Sequence, residues 1–457
     1  MIDVSLEQIC SAVGGELIEA GKSSNSVINA VSTDTRTVEE GALFVALVGE
    51  RFDAHQFVEQ VASAGAEAVL VSQAQSTQIS QILVTDTLAA LGRLGKFNRQ
   101  KYEGALVAVT GSAGKTTVKE MLALMFASLG PTLATRGNLN NEIGAPLTLL
   151  ELAPEHEYAV IELGASGLGE IARTVAMAQP DVAILNNAMA AHVEGFGSLE
   201  NIVVAKGEIY TGLKPGGIGI VNLDDPHSSA WTARLAQLKR KTLTFGVHSS
   251  ADVRADKLVQ REDGCFNFRL CVRGRVFPVT LNVMGRHMVS NALAAFAALV
   301  ALNLDPADAV DALAQYRGFK GRLQAHQLSE KLRLIDDSYN ANPDSMRAAV
   351  DVLKLLPRPH TLVLGAMAEL GPGEDMEHRE LGRYVAKAGI ENLFATGELM
   401  RHCVEAAQAQ GVNAIFFETQ LELLQKLESI SRGTILVKGS RSAVMDKVVT
   451  ALLDREV

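Results

Sequence analysis

Two hydrophobic periods alternate along this chain, and the places where they change divide it into three parts. In residues 1–83 the apolar runs "GALFVAL" (41–47) and "AEAVLVS" (66–72) flank "HQFVEQVASAGA" (55–66), whose apolar residues fall at helical spacing. This pattern predicts a small α/β N-terminal domain. "TLAALGRLGKFNRQKY" (87–102) sets Leu88, Leu91, Leu94 and Phe97 on one side of a helix, so residues 84–103 predict a linker helix opening the second part. Strand, loop and helix then alternate to residue 316. "ALVAVTG" (105–111), "YAVIELG" (158–164), "DVAILNNA" (181–188) and "GIGIVNLDD" (217–225) have the continuous apolar character of buried strands. Between the first two, Val118, Met121, Leu122, Met125 and Leu129 recur at helical intervals. "FNFRLCVRGRVFPVTLNV" (266–283) predicts an antiparallel insertion and "SNALAAFAALVAL" (290–302) a helix. Residues 84–316 therefore predict a central domain with a mostly parallel sheet and helices on both faces.

"YRGFKGRLQ" (316–324), with its glycines and basic residues, predicts a hinge. Beyond it "LRLIDD", "HTLVLGA", "NLFATG", "AIFFE" and "TILVKGS" alternate with helices such as "DSMRAAVDVLKLL". Residues 317–457 predict a C-terminal, Rossmann-like doubly wound sheet. The fold class is α/β in all three domains.

Length agrees, since 457 residues exceed what one hydrophobic core organises. The formal net charge of −10 argues against nucleic acid or an anionic membrane as a general partner, while leaving room for local phosphate pockets. Cys10, Cys265, Cys271 and Cys403 follow no C-x-x-C spacing, so neither a disulfide framework nor a zinc site is expected. "MIDVSLEQIC" has no apolar run and predicts no signal peptide, and no stretch is apolar enough to span a bilayer. A cytoplasmic location is expected.

The strongest chemical signal is "ALVAVTGSAGKTTVKEMLALM" (105–125). It is a phosphate loop two residues shorter than G-x-x-x-x-G-K-[ST], with Val109 where the longer motif begins and the turn confined to Gly111, Ser112, Ala113, Gly114, Lys115 and Thr116, with Thr117 following. A buried strand entering a glycine turn and then a helix surrounds an anion with N–H groups and a helix N-terminus, with the lysine as counter-charge. Thr116 is then placed to hold a Mg²⁺ that bridges phosphates. Glu162 and His192 follow successive strands, at the sheet edge where ligands collect in open α/β folds, and together suit a divalent cation. Lys206 in "VVAKGEIY" reads by helical spacing as a surface charge. "RGNLNNEIGAPLTLL" (136–150) concentrates Asn138, Asn140 and Asn141 in a loop that forms Asx turns or orients a polar ligand. In "IDDSYNANPDS" (335–345) a helix cap near Asp344 or Ser345 accounts for those two residues but not for Asp337, Asn340 and Asn342.

Taken together, the T-G-x-x-G-K-T loop, the glutamate ending the next strand, the downstream histidine and the lysine of A-K-G-E-I resemble the ATP-dependent Mur ligase superfamily. "TRGNLNNEIGAPLTLL", "ELGAS", "DDSYNANPDS", "VKGSRS" (437–442) and "STDTRTVEEGALFVALVGERFDAHQF" (32–57) are similar to the branch that completes the precursor peptide. The resemblance implies an acyl-phosphate ligase that uses ATP and Mg²⁺, with UDP-N-acetylmuramoyl-tripeptide and D-alanyl-D-alanine as partners, acting as a monomer. It implies that Lys115 and Thr116 contact the nucleotide phosphates and Mg²⁺, and that Glu162 and His192 help hold the metal. It also implies that Lys206 is carbamylated into a carboxylate supporting the metal. Asn291, Arg322, Asp337 and Asn340 match ATP-site positions; Ser32, Thr33, Asp34, Arg36 and Asn138, Asn140, Asn141 match positions addressing the UDP-sugar peptide. Two positions depart from the pattern: Met288 follows His287 where asparagine is usual, and Ala366 stands where aspartate is common.

The rivals are another ligase of the superfamily, either tripeptide-forming or folylpolyglutamate-forming, or a P-loop switch or transport ATPase. The D-N-P-[RK] stretch of the diaminopimelate-adding ligase is absent, and "NLDD" (222–225) lacks the lysine of a guanine-reading N-K-x-D.

Overall fold

The computed structural model describes residues 1–19, 26–49, 52–247 and 250–455. In the first part, strands Val31–Ser32, Leu43–Val45, Ala68–Val71 and Ser80–Leu83 lie side by side and parallel, and Glu16–Ile18 closes one edge antiparallel. Between Leu43–Val45 and Ala68–Val71 a 3₁₀ turn, Ala54–Phe57, runs into the helix Val58–Ser63, where helical spacing stood in the sequence. Glu50 and Arg51, within the 32–57 stretch, lie outside the described residues.

The linker helix forms over Thr87–Lys101, started by Asp86, whose carboxylate accepts from the N–H groups of Leu88 and Ala89. Leu91 and Leu94 are buried with Leu6, Ile9, Leu43 and Leu70 in the N-terminal core, with Leu88 and Phe97 packed against it. The helix is held from the other side as well. Gly95 approaches Pro146 so closely that a Cβ there would stand 2.8 Å from a proline carbon. The buried Arg99 donates to the carbonyls of Ala178, Tyr102 and Gln179 and to the Asp181 carboxylate. Four acceptors on one guanidinium satisfy a charge that would otherwise be costly to bury. The linker is therefore a strut shared by two cores.

The central sheet has nine strands, in the order Thr132–Ala134, Tyr158–Glu162, Ala105–Thr110, Val182–Leu185, Ile218–Asn222, Lys241–Gly246, Val253–Gln260, Cys265–Val272, Arg275–Met284. The first seven pair in parallel and the last two antiparallel. The expected insertion is thus the end of the main sheet, joined to it by Lys241–Gly246 and Val253–Gln260. In "VRADKLVQ" only Val253 and Ala255 are buried, so its apolar signal is too sparse to announce a strand. Ala105–Thr110 sits between Tyr158–Glu162 and Val182–Leu185, where the strand order reverses, and such a reversal opens a crevice at the strand C-termini. Helices Lys115–Ala127 and His287–Ala301 share one hydrophobic cluster on one face, while Glu170–Ala178 and Leu199–Gly207 contribute to the cluster on the other. His287–Ala301 is alanine-rich because it is buried along nearly its whole length.

The C-terminal sheet orders its six strands as Gln324–Ser329, Leu332–Asp337, Gly433–Lys438, His360–Gly365, Asn392–Thr396, Asn413–Phe417. The last strand of the chain inserts beside Leu332–Asp337, and the register places Asp337 opposite Lys438. Gln324–Ser329, an antiparallel edge strand, had no expected counterpart; its half-buried polar residues hide it. The helix Pro343–Leu353 is capped by Asn342, two positions before Asp344, with Ser345 as its partner. Asn342 Oδ1 accepts from the Ser345 N–H at 2.8 Å and Ser345 Oγ accepts from the Asn342 N–H at 3.0 Å, a reciprocal capping box that accounts for Asn342 as well.

Candidate active site

The phosphate loop leaves the middle of the central sheet at Thr110. Gly114 adopts φ +78°, and a Cβ there would lie 2.5 Å from Asn186 Nδ2 and 2.6 Å from Asn291 Oδ1, so glycine is required on both conformational and steric grounds. The helix that follows starts at Lys115 with no side-chain cap, leaving its first-turn N–H groups without intrahelical acceptors. Lys115 Nζ donates to the Gly111 carbonyl at 2.8 Å, folded back over the loop. Burial holds its ammonium below the ordinary lysine range; Glu162 opposes the shift and Arg322 adds to it. Thr116 and Thr117 are buried beneath it.

Glu162 is 2% exposed. Its Oε1 accepts from Asn140 Nδ2 at 2.8 Å and its backbone N–H donates to Thr135 Oγ1, while Oε2 is buried with no hydrogen-bond donor among the described residues. A buried carboxylate oxygen left in that state is costly, and a cation is what would relieve it. The donor set, a carboxylate beside a phosphate-loop threonine, suits Mg²⁺. Among the described residues no three His, Cys, Asp or Glu side chains gather as a ready metal cluster.

Lys206 is not the surface charge that helical spacing suggests. It is 2% exposed, its Nζ donates to the Ala165 carbonyl at 3.3 Å and stands 5.1 Å above the Phe196 ring. Burial, then the charge of Lys115, push its pKa down to about 7, against Glu170 and Glu208. His192 lies after the strand Val182–Leu185, in a left-handed conformation (φ +57°), and its Nδ1 meets Glu369 Oε2 of the C-terminal domain.

Asn291 is buried, with Oδ1 accepting from Asn186 Nδ2 at 3.0 Å and Nδ2 directed at the Met288 sulfur at 3.7 Å, so the thioether takes up part of what an asparagine at 288 would offer. Arg322 lies on the Tyr339 ring, 4.2 Å from its centroid. It follows the hinge glycines Gly318 and Gly321, both left-handed, and Gly321 is fastened to the third domain by its N–H to Asp336. Asp337 pairs with the buried Lys438 at 2.6 Å, and Lys438 also donates to the Asn340 carbonyl at 2.9 Å. Two adjoining cavities, about 120 and 650 Å³, share His287 and Ala348; Gly114, Asn291, Arg322, Asp337 and Lys438 line the first. Asn340 lines a separate cavity of about 380 Å³ with Ser112, His192, Glu369 and Arg441.

The amide-rich loop divides its work. Asn140 orients Glu162, Asn141 accepts from the N–H groups of Ile143 and Gly144 at a helix start, and Asn138 is exposed. Ser32, Asp34 and Thr37 tie a turn together at the edge of the N-terminal sheet, with Thr33 inside it. There Arg36 clasps Asp34 at 2.6 Å and its hydrogen bonds hold that carboxyl down to about 2.

Several contributors were missed in the sequence. Asn187 Oδ1 accepts from the Ala113 N–H at 2.8 Å, and Asn186 and Asn187 both donate to the Ala113 carbonyl, bracing the shortened loop from the neighbouring strand. The doubled amide after "AIL" was their signal. Lys438, ending "TILVK", lay in the "VKGSRS" stretch set beside the family without being singled out, and Glu369 in "AELG" had no signal beyond its place after a strand.

A half-buried phosphate loop, an orphaned carboxylate and a buried lysine near it, facing residues of the third domain, mark this as a nucleotide-using enzyme. Models of the Mur ligase family match all three parts: the family catalytic domain at residues 27–110, the Mur ligase middle domain at 109–299 and the glutamate ligase domain at 321–441. The chain belongs to the Mur ligase family. It is 43% identical, over 99% of both chains, to UDP-N-acetylmuramoyl-tripeptide–D-alanyl-D-alanine ligase of Escherichia coli, and 35% identical to the Bacillus subtilis protein of that name, again over 99% of both. A crystal structure of MurF from Acinetobacter baumannii superposes with a TM-score of 0.92 at 37% identity over 99% of both chains. MurF of Thermotoga maritima in complex with ADP gives 0.81 at 26% identity, covering 93% of this chain and 97% of that one. The family resemblance and the α/β three-domain architecture expected from the sequence are thereby met.

Proposed function

We propose that this ATP-dependent ligase joins D-alanyl-D-alanine to UDP-N-acetylmuramoyl-tripeptide, as a monomer in the cytoplasm, completing the peptide of the peptidoglycan precursor. The chemistry rests on one observation: a half-buried phosphate-loop lysine and a buried carboxylate with an unpaired oxygen share the crevice at the reversal of the central sheet. The choice of substrates is supported by full-length relatives of that name and by likeness through all three parts of the chain. No helix among the described residues is long and apolar enough to cross a membrane.

On this reading residues 1–83 hold the UDP-sugar, 84–316 hold ATP, and 317–457 close on it. An oxygen of the tripeptide's terminal carboxylate attacks the γ-phosphorus, the bond to the bridging oxygen breaks, and ADP leaves an acyl phosphate. The amine of D-alanyl-D-alanine then attacks the acyl carbon, loses a proton, and inorganic phosphate departs as the amide forms. The loop from Gly111 to Thr117 and the Lys115 ammonium neutralise the phosphates, a positioning and electrostatic task. Asn291, Arg322, Asp337 and Asn340 hold the nucleotide against the third domain. Ser32, Thr33, Asp34 and Arg36, with Asn138, Asn140 and Asn141, address the UDP-peptide. Thr116, Glu162, His192 and Lys206 as its carbamate would hold Mg²⁺, which supplies charge stabilisation at the transferring phosphoryl group. Two features favour the carbamate: a pKa near 7 leaves a large neutral-amine fraction able to attack CO₂, and the product carboxylate would sit close to the Lys115 charge.

Phosphate release measured with each acceptor amine in turn tests the assignment. Release is expected only when UDP-N-acetylmuramoyl-tripeptide and D-alanyl-D-alanine are both present. Turnover with diaminopimelate on the dipeptide precursor instead would move the chain to another branch of the family.

A further inference from the structure

The stretch 366–371 of the C-terminal domain forms a strap that reaches the central domain. Its base is fixed twice: the Met367 N–H donates to Nε2 of the fully buried His378 at 3.0 Å, and the Ala366 carbonyl accepts from the Ser440 N–H at 3.1 Å. At its tip Glu369 makes two contacts across the domain boundary. Its carboxylate meets His192 Nδ1, and its carbonyl accepts from the Glu194 N–H at 3.2 Å. Both residues of the contact are held left-handed, Glu369 at φ +60° and His192 at φ +57°. Non-glycine residues occupy that region at a conformational cost, and persist there where the surroundings impose it. Two such residues face one another across the domain junction.

We infer that Glu369 is a positioning residue for His192, supplied by the third domain only on closure. A carboxylate on Nδ1 fixes the tautomer and ring orientation of an imidazole, leaving Nε2 as the working nitrogen, the arrangement by which carboxylates aim metal-binding histidines. In the open state His192 has lost that partner, so the strap makes the imidazole competent only when the third domain covers the nucleotide. The inference rests on the role given to His192 above and adds to it the residue that enforces the role.

The test uses the full chain. Glu369 is half exposed, so replacing it leaves the core untouched. Glu369→Ala is expected to lower kcat by about 10- to 100-fold, the range for lost outer-shell partners of metal ligands, while KM for ATP changes little. Glu369→Asp, which keeps charge but loses reach, should follow Ala, and Glu369→Gln, which still accepts from Nδ1–H, should recover most of the rate. In a His192→Ala background Glu369→Ala should cost almost nothing further. Small-angle scattering with a non-hydrolysable ATP analogue reads closure without an acceptor: wild type and Glu369→Gln contract, and Glu369→Ala contracts less. Normal kcat and contraction in Glu369→Ala overturn the inference, as does an undiminished effect in the His192→Ala background. Because contraction needs no acceptor, a wrong substrate assignment leaves this measurement intact.

Discussion

The cavity proposed to take the nucleotide has two walls built on opposite principles. The wall from the central domain is written in one run of sequence: strand, glycine turn, Lys115 and helix follow one another within residues 105–127. The wall from the C-terminal domain exists only after folding. Asp337 and Lys438 are 101 positions apart, and they meet because the last strand slides in beside Leu332–Asp337. A contiguous wall spends its local geometry on the ligand, while the assembled wall spends a buried ion pair on holding itself. Changes in the first should therefore strike turnover, and changes in the second should strike stability.

The largest effect is expected at the contiguous wall. Lys115→Ala removes the ammonium proposed to neutralise the transferring phosphoryl group, and kcat should fall on the order of 10³-fold, the upper range for one lost electrostatic donor. Thermal stability should scarcely fall, since the native lysine is desolvated and bonded only to a loop carbonyl. Phosphate release with both substrates present measures the first and a melting curve the second. Near-normal turnover would remove Lys115 from the site. Lys206→Ala should lose about 10- to 100-fold, as for a lost supporting group of a metal site, and recover part of it with added acetate or formate. If short carboxylates give no recovery, Lys206 acts without the carbamate.

At the assembled wall the sign of the comparison turns. Lys438→Met leaves Asp337 charged, only 8% exposed and without its partner, and breaking a buried pair from one side costs about 3–5 kcal/mol. Adding Asp337→Leu should return part of that stability, because no charge is then left unpaired, although the Leu323 N–H and the Asn340 carbonyl lose their partners and nucleotide binding stays weak. Denaturant unfolding of the single and double variants separates the cases. A single variant as stable as the wild type would mean the pair is solvated and the two walls are not so different.

What could be read from the sequence follows the same division. The phosphate loop, the buried strands around it and Glu162 were legible because each depends on residues adjacent in the chain. Lys206 was misread by spacing alone: its helix, Leu199–Gly207, is covered by the Ala165 loop and Phe196, cover that no periodicity in nine residues reveals. The partners of Lys438 and Glu369 were invisible because strand order and the meeting of two domains, not neighbours in sequence, supply them. The three unexpected strands of the central sheet, Thr132–Ala134, Lys241–Gly246 and Val253–Gln260, and the edge strand Gln324–Ser329 escaped because none of them carries a continuous buried apolar run. Asn342 went unexplained because the cap stands one position before Pro343, and the hydroxyl that completes it lies three residues on.

The smallest effect, and the finest test of the assembled wall, concerns the base of the strap. His378 accepts the Met367 N–H on Nε2 and donates from Nδ1 to the Glu374 carbonyl at 2.7 Å, so the buried ring is neutral, and a proton on Nε2 would face the Met367 N–H donor to donor. Burial lowers its pKa from the ordinary 6.5, against the pull of the Glu374 carbonyl. The unfolded chain therefore takes up this proton more readily than the folded one, and stability rises with pH wherever that difference holds. The contribution is complete above pH 6.5 and is lost progressively as pH falls below it toward the lowered folded value. In melting curves taken from pH 7.5 to 5.5 the wild type should lose stability more steeply than His378→Gln, whose lower starting stability carries no such slope. Carboxylates titrate alike in both proteins, so the difference between the two profiles isolates the imidazole. Parallel profiles would mean that Met367 turns its N–H elsewhere and that the strap carrying Glu369 is anchored by the Ser440 contact instead.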